Sequence, residues 1–350
     1  MEYLPFLEIT RGEFVESLHI GAIAVSEASG TLVAWWGDPE SVTYLRSTAK
    51  PIQALPLIES GAAAHFDLQP DEVAVICASH SGTDDHVAAV RSIQEKIKVS
   101  EEALLCGTHP PHDLQTARRL RELSLEPTVM RHNCSGKHMG MLALARFLGE
   151  SIEGYTAPTH PVQRYILKVF VEMCGLQEED VTLGVDGCSV PTFAVPLHAA
   201  SFAYARLVDP VSLPSERAEA CRQVVSAMTA YPDMVAGPKR FDTILMKVAD
   251  GKIVAKGGAE GYQGLGILPG ALGEGSPGLG VAIKVADGDL KGRARPLIAL
   301  AVLEELGALT SEARAALAKS YPHEVHNNRG IVVGRKRPTL QLVRRGQEDR

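Results

Sequence analysis

Three short segments carry residue types that could do acyl-transfer chemistry. The first is Leu45-Arg46-Ser47-Thr48-Ala49-Lys50-Pro51, followed by the apolar stretch IQALPLIESG. Ser47 stands where a helix should begin, and Lys50 three residues on would share its face. A serine hydroxyl is a poor nucleophile until a base takes its proton. A lysine can be that base only if its pKa falls from about 10.4 toward neutrality, through burial or a nearby cation. A helix start would also favour the negative charge developing on Ser47. The second segment, Ala78-Ser79-His80-Ser81-Gly82, ends the helix-like run Asp71–Cys77 and delivers hydroxyls into a loop. The third, Lys256-Gly257-Gly258, ends the strand-like GKIVAK, so a lysine sits beside two glycines that permit close backbone approach.

Each segment alone has an ordinary structural reading: a capping serine with a solvated lysine, a helix stop at glycine, a strand ending in a turn. In this order, however, they resemble the layout of serine β-lactamases and penicillin-binding proteins. There, a helix-borne Ser-x-x-Lys is followed by a Ser-x-Asn loop and a strand-borne Lys-Thr-Gly. Ser79-His80-Ser81 and Lys256-Gly257-Gly258 depart from the second and third elements. The departures point away from a β-lactamase and toward a relative using the same geometry.

Two further strings are dense in polar groups. Arg131-His132-Asn133-Cys134-Ser135-Gly136-Lys137-His138 opens an apolar helix, and Gly184-Val185-Asp186-Gly187-Cys188-Ser189-Val190-Pro191 reads as a strand turning tightly into a helix opened by Pro191. Such junctions gather side chains and free backbone amides. Cys134 and Cys188 are too far apart for a zinc finger and the chain has no Cys-x-x-Cys, so spacing alone favours buried free thiols. Cys77, Cys174 and Cys221 lie in apolar helical runs and read as core. The loop Cys106-Gly-Thr-His-Pro-Pro-His-Asp113 reads as punctuation between two helices. His160, His198, Tyr155, Trp35 and Trp36 read as structural or packing residues.

The elements that must position these groups are strands at both ends of the chain and helices between. Ser17–Val25 and Thr31–Trp36, split by Glu27-Ala-Ser-Gly30, suggest a hairpin. Apolar spacing predicts helices over Asp85–Val99, His112–Leu123, Lys137–Leu148, Pro161–Cys174 and Pro191–Leu207. Strands return at Lys252–Lys256, Gly280–Val285, Gly330–Val333 and Thr339–Val343, with a helix Arg295–Leu306 among them; Gly261 to Gly280 reads as an ordered loop containing a strand. The expected class is α+β: one domain over residues 1–350, its antiparallel sheet assembled from both termini, with a helical lobe at roughly 60–245. No internal repeat or linker divides it. The 350 residues are 45% hydrophobic and carry a formal charge of −7 without a basic run, which excludes the footprint of a nucleic-acid binder. No stretch approaches the roughly 20 apolar residues of a membrane-spanning helix. MEYLPFLEITRGEF lacks the pattern of a secretory signal. Six dispersed cysteines suit a reducing, cytoplasmic setting.

LRSTAKPIQALPL, ASHSG, CGTHPPHD, RHNCSGKHMGML, GVDGCSVPTFAVPL, MVAGPKRFDT and KGGAEG, spread in order from about Phe14 to Val333, together resemble the L-asparaginase II family. This family differs from asparaginases with threonine nucleophiles and from the self-cleaving type. The resemblance implies a β-lactamase-like fold, a homodimer, and hydrolysis of L-asparagine to L-aspartate and ammonia. It makes Ser47 and Ser79 the catalytic serines, with Lys50 and Lys256 as the lysines that tune them. It also implies one zinc ion per chain, held by Cys134, Lys137 and Cys188, with His138 and Asp186 beside it. On this reading Lys50 takes the proton of Ser47, and backbone amides at Ser47 and just after Lys256 receive the oxyanion. Ser79 with Lys256 returns a proton to the leaving ammonia; Arg46 is a candidate for the substrate α-carboxylate or for pairing with the local structure, and His138 and Asp186 are further substrate-binding candidates.

Overall fold

In the computed structural model, which describes residues 2–346, twelve strands are defined: Leu4–Arg11 (β1), Phe14–Glu27 (β2), Leu32–Trp36 (β3), Val42–Tyr44 (β4), Thr182–Val185 (β5), Pro191–Pro196 (β6), Ile253–Gly257 (β7), Tyr262–Ile267 (β8), Leu279–Val285 (β9), Glu324–His326 (β10), Val332–Pro338 (β11) and Val343–Arg344 (β12). Nine of them form one sheet in the order β10-β11-β1-β2-β9-β8-β7, extended by β3 on β2 and by β12 on β3. Every pair in it is antiparallel. The two ends of the chain thus meet along β2 and β9, where Gly21 to Glu27 run opposite Val285 to Leu279. The fold is mixed, an antiparallel sheet with helices.

The central strands read as nearly unbroken apolar runs because both of their faces are covered. All residues of β8 and β9 are buried. The helix Leu197–Val208 lies on this sheet and is pinned there by the buried Ser201–Ser26 hydroxyl pair at 2.6 Å. Its Tyr204 hydroxyl donates to the Thr48 carbonyl at 2.8 Å, so the same helix ties the sheet to the turn that carries Ser47. Between β4 and β7 the chain is mainly helical, apart from the small sheet β4-β6-β5.

Several expected elements match closely. Pro161–Cys174 is a helix over those residues, started by proline at its first position, capped by the His160 ring accepting from the Val162 N–H, and ended by the left-handed Gly175. Asp84–Ile97, Leu114–Glu122, Ser135–Leu148 and Arg295–Glu305 match their expected helices within about two residues at most ends. The junction at Pro191 is different. Pro191 opens β6, and the helix begins only at Leu197. The stretch Pro191-Thr-Phe-Ala-Val-Pro196 has proline at both ends and β-branched or aromatic residues between, and pairing with both β4 and β5 outweighs its helical spacing. The final strands also lie further along than the sequence suggested, at Val332–Pro338 and Val343–Arg344, and β1 was not anticipated.

Candidate active site

The Ser47 turn is a 3-10 turn, Arg46–Ala49, running into the short helix Lys50–Gln53. Arg46 has a φ of 52°, a left-handed conformation that costs a non-glycine residue of order 1–3 kcal/mol. Ser189, next to Cys188, is held similarly at 73°. Both outliers flank the polar cluster and are held there by surrounding structure.

Ser79 is the junction of this cluster. Its loop follows the buried helix Pro70–Ile76, and its backbone N–H donates to the Val235 carbonyl at 3.0 Å. Lys50 Nζ and Lys256 Nζ each lie 3.0 Å from Ser79 Oγ. Lys50 also donates to the Ala78 carbonyl, to the Asn133 carbonyl at 3.4 Å and to Cys134 Sγ at 3.1 Å. Lys256 also donates to its neighbour's carbonyl, Gly257 O, at 2.7 Å. Both ammonium-bearing chains are fully buried, at 1% and 0% exposure. Burial first, then the adjacent Lys50 charge, brings Lys256 from the ordinary 10.5 down to about 7. Ser47 Oγ makes no hydrogen bond among the described residues and is half-buried. Lys50, Lys256 and Ser79 therefore converge, and both lysines are attached to Ser79, not to Ser47.

The strand end that carries Lys256 is seated against the Ser47 turn. Thr48 Oγ1 donates to Lys256 O at 3.3 Å, and a Cβ on Gly258 would stand 2.6 Å from Leu45 O, so only glycine fits there. Of the amides after Lys256, Gly257 N–H donates to Asp242 Oδ2 at 2.7 Å and Gly258 N–H to Tyr262 O at 2.9 Å. The Ala259 N–H makes no hydrogen bond among the described residues, and neither does the Ser47 N–H in the first turn. These two are the amides available to an oxyanion.

Asp242 is a buried anchor. Besides Gly257 it accepts from Gln263 Nε2 at 3.2 Å and lies 4.0 Å from Arg295 Nη1. Arg295 and Lys256, with the Gly257 N–H bond, hold its carboxyl below the usual range against the opposing effect of burial.

The second cluster adjoins the first through the Lys50–Cys134 contact. Lys137 Nζ is 3.1 Å from Cys188 Sγ, and Cys134 Sγ lies 3.2 Å from Asn133 Oδ1. The adjoining Cys188 thiol, with the Lys50 and Lys137 charges, holds Cys134 well below the ordinary thiol range against burial; the neighbouring Cys134 and burial push Cys188 up. Burial would lower Lys137, but the two sulfurs outweigh it and hold it above the ordinary lysine range. Among the described residues no three of His, Cys, Asp and Glu converge to hold a metal ion. A metal here would therefore need Lys137 as its third protein ligand. Two thiols and one amine around a single point are sulfur and nitrogen donors of the kind zinc takes, so the donor set fits that ion.

Arg46 Nε is bonded to Asp186 Oδ1 at 2.8 Å, and Asp186 Oδ2 lies 3.8 Å from Cys188 Sγ. Arg46 thus has a carboxylate partner within the protein. His138 is fully buried; its Nδ1 is 2.6 Å from the Tyr155 hydroxyl and its Nε2 has no partner. Tyr155, read as packing, also accepts from the Leu105 N–H at 3.0 Å and so carries the Cys106 loop. That loop does more than punctuate. His109 Nε2 accepts from the Asn133 N–H at 3.0 Å, and His112 Nε2 lies 3.4 Å from Asn133 Nδ2, so both hold the residue before Cys134. The imidazoles of His109 and His132 are 4.5 Å apart. The pairing of the two histidines with Asn133 needs tertiary structure to be seen, and no local spacing announces it.

Among solved structures, the chain is similar to a probable glutaminase from Bacillus subtilis complexed with 6-diazo-5-oxo-L-norleucine: 14% identity, 83% of this chain and 84% of that one, TM-score 0.38. It is also similar to Mglu in its native form, with 17% identity over 81% of this chain and 63% of that one, TM-score 0.45. The chain thus spans less than two thirds of that Mglu chain. Superpositions this loose fix neither fold family nor function. No curated protein matches. The sequence model of the family described as L-asparaginase II matches residues 7–338, almost the whole chain, and the protein belongs to that family of amide hydrolases.

Proposed function

We propose that the protein is an L-asparagine amidohydrolase acting through a serine nucleophile, releasing L-aspartate and ammonia. The observation that carries this reading is the Ser79 hydroxyl held 3.0 Å from two buried lysines, one of them brought to about 7. A lysine in that range accepts a proton at neutral pH and returns it, the property a general acid–base needs. Ser47 is the attacking group: it is the more open of the two serines, and its own N–H and that of Ala259 are free to receive an oxyanion. Ser79, enclosed by both lysines, relays the proton to Lys256, and Lys50 fixes the position of Ser79.

In the first half-reaction Ser47 Oγ bonds to the side-chain amide carbon and its proton passes by Ser79 to Lys256. The carbonyl oxygen carries the negative charge. The carbon–nitrogen bond then breaks as Lys256 returns its proton to the departing ammonia, leaving an aspartyl ester on Ser47. Water attacks that ester, its proton goes to Lys256, and Ser47 recovers a proton as aspartate leaves.

Cys134, Lys137 and Cys188, with both thiols and the amine deprotonated, would hold zinc, which when bound would tie the start of the Ser135–Leu148 helix to the Cys188 turn. Arg46 keeps Asp186 in place next to Cys188. The larger architecture we assign is that of the serine β-lactamase-like enzymes in a single catalytic domain. It is supported by a sheet built from both chain ends, by one contiguous core, and by the meeting of turn, loop and strand at the site. Exposed Val42, Tyr44, Leu183 and Val185 on the small sheet support a homodimer, and six buried free cysteines support a cytoplasmic setting.

Ammonia release from a panel of L-asparagine, L-glutamine, D-asparagine and simple amides tests the activity. The reading expects L-asparagine to be preferred over L-glutamine by about 10²-fold, since an added methylene displaces the reacting carbonyl by about 1 Å. Equal turnover of glutamine would make the protein a general amidase.

A further inference from the structure

Six arginines are half-buried among the described residues: Arg46, Arg131, Arg206, Arg217, Arg240 and Arg295. Five have polar partners: Asp186 for Arg46, Asp84 for Arg131, the Glu172 carbonyl for Arg206, Glu59 for Arg217 and Gln263 for Arg295. The guanidinium of Arg240 has neither a hydrogen bond nor an ion pair among the described residues. The Asp242 carboxylate favours its charge from beyond ion-pair distance and Arg295 opposes it, so the half-buried fork keeps its hydrogen-bonding positions open for an anion.

Its place in the fold says which anion. The segment from Val235 to Thr243 is fastened along the Ser79 loop. Val235 O accepts from Ser79 N–H at 3.0 Å, and Ala236 O accepts from Ser81 Oγ at 2.7 Å. Gly237, at φ +115°, approaches Ser81 so closely that a Cβ would stand 2.6 Å from its hydroxyl. Asp242 then holds the amide beside Lys256. Arg240 thus sits between two residues that are each pinned to the catalytic cluster, and Thr243 Oγ1, donating to Gly237 O at 2.7 Å, closes the loop around it. The guanidinium is near enough to Lys256 and His112 for its charge to act on both. The other arginine at the site, Arg46, is paired with Asp186.

We propose that Arg240 is the receptor for the α-carboxylate of the amino-acid amide substrate. The guanidinium fork matches a carboxylate in two parallel hydrogen bonds, and binding supplies the acceptors that the described residues do not. The inference rests on the reading of the site as an amidase for an amino acid carrying a side-chain amide.

The test compares wild type, Arg240→Met and Arg240→Lys in two assays: hydrolysis of L-asparagine against 3-aminopropanamide, which lacks the carboxylate, and calorimetric binding of L-aspartate. Arg240→Met should raise KM for L-asparagine and the Kd of L-aspartate roughly 10²-fold, with kcat changed far less. Measured above the acid limb, where Lys256 is neutral in both proteins, its turnover of 3-aminopropanamide should fall far less than that of L-asparagine, and Arg240→Lys should recover part of the loss. Its thermal midpoint should not fall, because an unpaired cation has been removed. Unchanged KM and Kd in Arg240→Met, or an equal loss with both substrates, overturns the assignment. If wild type ignores L-asparagine but hydrolyses another amide of an α-amino acid in an Arg240-dependent way, the substrate reading fails and Arg240 stands. If wild type hydrolyses L-asparagine and Arg240→Met matches it, only the arginine assignment fails.

Discussion

Replacing Lys256 with methionine should abolish activity and stabilise the fold, most strongly in acid. Methionine keeps most of the buried stem and removes the charge. In the folded protein Lys256 titrates at about 7, while in the unfolded chain it returns to 10.5. At 1.36 kcal/mol for each unit of pKa, burying this amine costs about 5 kcal/mol below pH 7, where both states would otherwise be charged. The penalty shrinks as pH rises from 7 toward 10.5, because only the unfolded chain then gains from its proton; at pH 9 about 2 kcal/mol remains. Methionine also forfeits the bonds to Ser79 and Gly257 O, at about 1 kcal/mol each. The net gain is therefore about 3 kcal/mol at pH 6 and close to zero at pH 9. With an unfolding entropy of about 2.1 cal/mol/K per residue, 350 residues give a rise in Tm of about 4 °C at pH 6. Calorimetric melting of both proteins at pH 6 and 9 is the assay, with ammonia release measured in parallel. A variant that melts below wild type at pH 6, or by the same margin at both pH values, would refute the claim that Lys256 is a strained buried amine.

Ser47→Ala should lower the rate by at least about 10³-fold and prevent formation of an acyl-enzyme, whereas Ser79→Ala should slow both half-reactions by about 10²–10⁴-fold as a lost relay; a rapid-quench digest showing the acyl group on Ser79 would reverse the roles. Asp242→Asn keeps an acceptor for the Gly257 N–H but removes a charge that raises Lys256, so the acid limb of the rate profile should move to lower pH, and an unmoved or raised limb would count against it. Protein purified without added metal should contain one zinc per chain by elemental analysis, and Cys134→Ser or Cys188→Ser should lose it; unchanged zinc in either variant removes the site from the account.

The candidate site groups were largely legible because they sit in contiguous strings. Ser47, Lys50, Ser79, Lys256, Cys134, Lys137 and Cys188 were each marked by local spacing or by the family resemblance, and the structure gathers all but Ser47 into two adjoining clusters, with the Ser47 turn seated against the Lys256 strand end. Their mutual wiring was not legible. The attachment of Lys50 to Ser79 spans 29 residues, and that of Lys256 to Ser79 spans 177, so no periodicity reports either. The apolar residues of Pro191–Pro196 also fit a helical spacing, and only pairing with β4 and β5 decides for a strand. Arg240 and Asp242 stood in a recognised string, yet nothing in MVAGPKRFDT separates a free guanidinium from a paired one; the carboxylate bond to Gly257 exists only once β7 is in place.

The most direct measurement of the central claim is the rate of ammonia release from L-asparagine by the wild-type protein from pH 5 to 10. Loss of one proton from Lys256 should make the enzyme competent, so release should be saturable and kcat/KM should rise tenfold per pH unit in acid, levelling above an apparent pKa near 7. A profile flat across that range, or no release above the no-enzyme rate at any pH, would contradict the account.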